Sequence, residues 1–190
     1  MGGMIGLELA LMIPDRFKSI GLLCTAASWK SSAKYPFKYM NMFKMTGTVD
    51  ENVKTLMDVV YSDQQYLDAF DARFPQFANN RDRIHAILKN RMMVSKKPAL
   101  ATLVGQILAC TTHNVEKERL HELGLKIKHT LIICGREDKV TDPSCSEYLA
   151  THIPGSKLLV LTGKGHVITS EAEFQVCKEL HEMFMASNFL

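Results

Sequence analysis

The sequence predicts an α/β fold, a parallel sheet with helices packed on it. Three observations carry this. Short apolar runs of strand length occur in "KSIGLLCTAA", "HTLIICG" and "SKLLVLTG", and a continuous apolar run marks a strand covered on both faces. Helical patterns follow the last two, "DPSCSEYLATHI" and "SEAEFQVCKELHEMFM", and strand–helix alternation is the mark of parallel βαβ units. Between the first two runs the texture is helical, without strand patterns, as expected of an insertion between strands of one sheet.

In chain order, "MIGLELALMI" is apolar nearly all round, interrupted only by Glu8. It predicts a helix buried on most faces, stopped by Pro14 and Asp15. "KSIGLLCTAA" is the first strand. Helical spacing in "DENVKTLMDVVYS", "NRDRIHAILKNRMM" and "PALATLVGQILACTTH" fills much of the insertion. "EKERLHELGLKIK" is a helix expected to end at Gly124, ahead of the second strand, "HTLIICG". Asp142-Pro143 opens the next helix, "SKLLVLTG" is the third strand, and "SEAEFQVCKELHEMFM" is a closing amphipathic helix. The division is a core segment 1–28, a helical cap 29–114 and a second core segment 115–190. Three strands are few for a sheet covered on both faces, so the architecture reads as cut off on one side.

With 190 residues, 46% apolar and 23% charged, the chain has the composition of a globular domain with a sizeable core. A net charge of +3 without a dense Lys/Arg block leaves no nucleic-acid footprint. Cys24, Cys110, Cys134, Cys145 and Cys177 form no CxxC pair and no metal-like spacing. They read as reduced thiols of an intracellular, cytoplasmic protein. The first twenty residues lack a basic segment and contain Glu8 and Asp15, which argues against a signal peptide. No run of eighteen apolar residues suggests a membrane span. No cofactor or metal is expected.

Catalytic groups in α/β folds gather where strands end and loops converge. "REDKVTDP" puts Asp138 three residues beyond Gly135, and "KGHVITSE" puts His166 just past a Gly-Lys-Gly loop, 28 residues on. An Asp reaching the imidazole would fix its tautomer and stabilise the imidazolium. Each residue also has an ordinary explanation, a turn aspartate before proline and a loop histidine.

In this order the motifs resemble the α/β-hydrolase family, in which a strand enters a sharp G-x-S-x-G turn bearing the nucleophilic serine and leaves it as a buried helix. "MGGMIGLELAL" resembles the tail of that elbow. The resemblance implies that Met1 follows the serine and offers its backbone N–H to the oxyanion, with Gly2 and Gly3 as the small elbow residues. "GREDKVTDP" resembles the acid loop and implies Asp138 as acid; "PGSKLLVLTGKGHVITSE" resembles the histidine loop and implies His166 as base. The position of the nucleophile would precede Met1, so none is expected in this chain. Ser28, Ser31, Ser32, Ser144 and Ser146 are not at an elbow.

Three readings follow: the C-terminal part of a longer hydrolase, a short form completed by another chain, and a non-catalytic protein that keeps the pocket for binding. The resemblance implies hydrolysis of an ester-like bond in a small, mostly apolar substrate, without cofactor. Self-association through the exposed sheet edge is also expected. Trp29, Tyr35, Phe37, Tyr39 and Phe43 alternate with Lys30, Lys34, Lys38 and Lys44, either as a packed cap helix with solvated lysines or as a face for a lipid surface or an acidic substrate. Met40, Met42, Met45, Met57, Met92 and Met93 lie in the cap, suited to an irregular apolar pocket or to gap filling.

Overall fold

The computed structural model describes residues 1–28, 47–95 and 99–188. In chain order the elements are α1 (Gly2–Met12), a 3₁₀ turn (Pro14–Arg16), β1 (Ser19–Leu23), α2 (Val49–Val60), α3 (Gln64–Asp68), α4 (Asn80–Val94), α5 (Leu100–Thr112), α6 (Lys117–Lys126), β2 (His129–Gly135), α7 (Pro143–His152), β3 (Lys157–Leu161), α8 (Ile168–Glu171) and α9 (Glu173–Asn188). The strands form one parallel sheet in the order β1-β2-β3. Leu23 pairs with Ile133 and Gly135 with Leu161, so the three carboxyl ends lie side by side.

Alternation along the strands divides the core. Ile20, Leu22 and Ile132 pack with Leu7 and Ala10 of α1, Leu120 and Leu123 of α6, and Leu149 of α7. Leu131, Ile133 and Leu161 pack on the other side with Ile168 of α8 and Val176 of α9. β2 is buried from Thr130 to Gly135, as its unbroken apolar run predicts, and each such leucine or isoleucine contributes about 1.5–3 kcal/mol.

Residues 47–95 and 99–112 carry four helices and no strand among the described residues. They have a small core of their own, Val53, Met57, Tyr61, Leu67 and Ile84. Thr48 and Glu51 form a capping box on α2, and Asp63 and Asn79 cap α3 and α4. The insertion leaves and re-enters the sheet at one point. Ser28 and Asn114 form an antiparallel bridge, and the Val115 N–H donates to the Ala27 carbonyl at 2.8 Å. Trp29 through Met45, including the aromatic–lysine segment, lie outside the described residues. Of the cap methionines that are described, Met57 is buried, Met92 packs on the small core, and Met93 is exposed.

Three expectations need correction. α1 buries only a stripe, Leu7 and Ala10, while Ile5, Leu9 and Met12 are exposed. It packs on one side, against β1 and α6, and Glu8 pairs with Arg119. α6 runs through Gly124 to Lys126, with Ile127 as its C-cap. Gly124 serves close approach instead, since a Cβ there would lie 2.6 Å from the Pro154 ring. The closing helix is broken at Ala172 into α8 and α9; the short α8 lets Glu171 turn back into the loop before it.

Candidate active site

The tips of β2 and β3 are locked together by backbone. Arg136 N–H donates to the Leu161 carbonyl at 2.8 Å and Glu137 N–H to the Lys164 carbonyl at 3.0 Å. Such an approach leaves no room for side chains. A Cβ on Gly135 would lie 2.2 Å from the carbonyl oxygens of both Lys164 and Gly165, and one on Gly165 would lie 2.8 Å from the Val60 carbonyl oxygen. The glycines at the strand end and before the histidine are therefore steric requirements. Gly163, at φ +75°, supplies the left-handed residue that turns the chain after β3.

On this frame Asp138 and His166 meet. The His166 Nδ1–H donates to Asp138 Oδ2 at 2.8 Å, since an ionised carboxylate can only accept. Asp138 Oδ1 accepts from Val140 N–H at 2.7 Å and Thr141 N–H at 2.8 Å. The turn-aspartate reading and the imidazole-partner reading of Asp138 both hold, one for each oxygen. Its side chain is fully buried, while that of His166 is 30% exposed. An imidazole held this way carries its proton on Nδ1, which leaves the Nε2 lone pair to take another.

Two groups at this site escaped the sequence reading. Cys24, the residue after β1, brings its sulfur to within 4.8 Å of the nearest ligand atoms of Asp138 and His166. Burial and the Asp138 carboxylate push its thiol far above the usual range. It is thus a neutral donor rather than the thiolate a metal would favour. Its place at a strand end was the available signal. The second is Glu171, 5% exposed. One carboxylate oxygen accepts from Ser62 N–H at 2.6 Å and Asp63 N–H at 2.7 Å, and the other from Gly165 N–H at 2.5 Å. With the His166 N–H on the Val60 carbonyl at 2.9 Å and the Lys164–Asp63 ion pair, it ties the histidine loop to the end of α2. A buried acid five residues after the histidine carried no periodic signal.

Met1 caps α1, and its carbonyl accepts from Ile5 N–H. Gly3 packs on β1's exit, where a Cβ would lie 2.4 Å from Thr25 Oγ1, whereas Gly2 has open space. None of the five cysteines is in a disulfide.

The profile of the alpha/beta hydrolase fold matches residues 1–173, and the chain belongs to that family. It is 23% identical over 167 residues to a pimeloyl-[acyl-carrier protein] methyl ester esterase of Nitrosomonas europaea, covering 87% of this chain and 61% of the relative. In structure it is similar to a 2-hydroxy-6-oxo-6-phenylhexa-2,4-dienoate hydrolase from a Rhodococcus species (TM-score 0.69, 19% identity, 97% of this chain and 61% of that one). It is also similar to a serine hydrolase from the polyaromatic-hydrocarbon-degrading Cycloclasticus zankles (TM-score 0.67, 20% identity, 100% and 62%). The chain thus spans about 60% of the length of these relatives. Among the described residues no helix is long and apolar enough to cross a membrane.

Proposed function

We propose that the chain carries the acid and base of a serine hydrolase, Asp138 and His166, and hydrolyses an ester-like bond in a small, mostly apolar substrate when joined to a nucleophile. The observation that supports this most is the 2.8 Å hydrogen bond between Asp138 Oδ2 and His166 Nδ1 on neighbouring strand tips. In this reading His166 Nε2 takes the proton of a serine that would precede Met1. The buried Asp138 stabilises the imidazolium, and the Met1 N–H, at the start of α1, donates to the oxyanion. The serine's oxygen attacks the carbonyl carbon, the leaving group departs with the proton from His166, and water then releases the acyl group by the same proton path. Residues 29–114 act as the cap over the pocket, its two ends brought together where Ser28 and Asn114 pair. The esterase and hydrolase activities in the relatives' names fit an ester-like substrate. The open side of β1 and the exposed Ile5, Leu9 and Met12 support self-association of the chain alone, and the reading places the protein in the cytoplasm.

The test is to add upstream hydrolase strands and a serine immediately before Met1, then treat the product with a fluorophosphonate probe. That serine should be labelled, with labelling falling about 10³-fold or more in His166→Ala, while the 190-residue chain stays dark. Labelling of the short chain would place the nucleophile within it, and an inert extended chain would favour a binding protein.

A further inference from the structure

Cys24 is the single non-glycine residue at positive φ among the described residues, at +46°, in the left-handed region where a side chain is strained. Its backbone is held there by the Cys24 N–H donating to the Ile133 carbonyl at 2.9 Å. The turn buries the side chain, 9% exposed, against the Gly135 backbone and the Asp138 carboxylate. The nearest ligand atoms of Cys24, Asp138 and His166 all lie within 4.8 Å of one another. Because a carboxylate only accepts, a contact between the two at this range has the S–H as its donor.

We propose that Cys24 is a positioning residue for the Asp138–His166 pair, its S–H the fourth donor on the carboxylate, drawing off charge that would otherwise raise the proton affinity of His166. The inference rests on reading that pair as acid and base. Val140 and Thr141 already fix Asp138 Oδ1, so loss of the thiol leaves the carboxylate in place and changes only its charge. With one donor fewer, Asp138 favours the imidazolium more strongly and the histidine titrates at higher pH. The thiol thus widens the pH range in which the base is neutral and able to act. The other charged groups around the tips are engaged elsewhere. Glu171 binds three backbone N–H groups, Lys164 pairs with Asp63, and Lys139 donates to the Asp58 carbonyl. Arg136 pairs with Glu147, and Glu137 accepts from Gly163 N–H. Cys134 is a second neutral thiol, held protonated by burial.

The experiment follows the His166 ring signals of the 190-residue chain by NMR as a function of pH. Cys24→Ala should raise the His166 midpoint by about half a pH unit. Cys24→Ser, which keeps a donor, should stay at or below the parent value. Cys24→Gly removes the donor while suiting the left-handed backbone, so it should shift like alanine even if the alanine variant folds poorly. A purely structural cysteine would lower the melting temperature and leave the midpoint alone. A midpoint unmoved or lowered in the glycine variant overturns the proposal. Asp138→Asn separates the two readings, because it should lower the midpoint. If it does so while the Cys24 variants are silent, only the role of Cys24 falls; if it does nothing, the acid–base pair itself falls.

Discussion

Glu171→Ala is the substitution with the largest consequence that the sequence does not advertise. The carboxylate is 5% exposed and accepts three backbone N–H groups, two from the insertion and one from the residue before His166. Alanine would leave all three donors without that acceptor. A hydrogen bond to a charged group contributes about 1.5–3 kcal/mol, but the three share one carboxylate and part of the loss is offset by no longer burying a charge. The expected net cost is about 3 kcal/mol, a large fraction of a typical domain's 5–15 kcal/mol. Glu171→Gln should cost about half as much, since its carbonyl still accepts while its NH₂ faces donors. Urea unfolding followed by circular dichroism measures the cost. Hydrogen exchange localises it, with the Ser62, Asp63 and Gly165 amides exchanging about 100-fold faster. An alanine variant within 0.5 kcal/mol of the parent, by the measure of a neutral surface change, with protection of these amides intact, would refute the assignment of Glu171 as the clasp between insertion and histidine loop.

Two further outcomes are expected. Gly135→Ala should destabilise by about 2–4 kcal/mol and weaken the Asp138–His166 hydrogen bond, because its Cβ would meet two backbone oxygens at 2.2 Å; loss of the downfield Nδ1 proton signal would report it. Arg119→Gln should cost less than about 1 kcal/mol at pH 7, and the cost should shrink as the solution is acidified below the usual glutamate range, measured by denaturant melts. The Arg119 hydrogen bond holds the Glu8 carboxyl below its usual range, so the pair's stability is present above the unfolded pKa and is lost as pH falls through the lower folded one. Glu8 is 37% exposed, which keeps the effect small.

What could be read from the sequence and what could not divides along physical lines. β2 was legible because the unbroken apolar run Leu131–Cys134, closed by a glycine, has few uses other than a strand covered on both faces. Asp138 and His166 were legible because strand ends fix where loops converge. α1 misled because composition reports what a helix could bury, whereas the burial realised depends on what packs against it. Leu7 and Ala10 found partners; Ile5 and Met12 did not. Gly124 misled for a related reason. A glycine near a helix end serves as a cap or a point of approach equally well, and only the position of Pro154 decides which.

Cys24 and Glu171 were harder to find for a deeper reason: each has partners more than a hundred residues away in sequence. Cys24 reaches Asp138 only because parallel pairing sets the end of β1 beside the end of β2, and Glu171 reaches Ser62 only because the insertion folds back onto the histidine loop. The same long-range dependence orders the site. Gly135 and Gly165 let the loops touch, and the contact brings His166 to Asp138. Glu171 then holds the histidine loop against α2, and Cys24 adjusts the carboxylate from the opposite strand. A change in the insertion near Ser62 should therefore reach His166 by way of Glu171 and Gly165 without the Asp138 or His166 side chain being touched. The insertion thus supports the histidine loop.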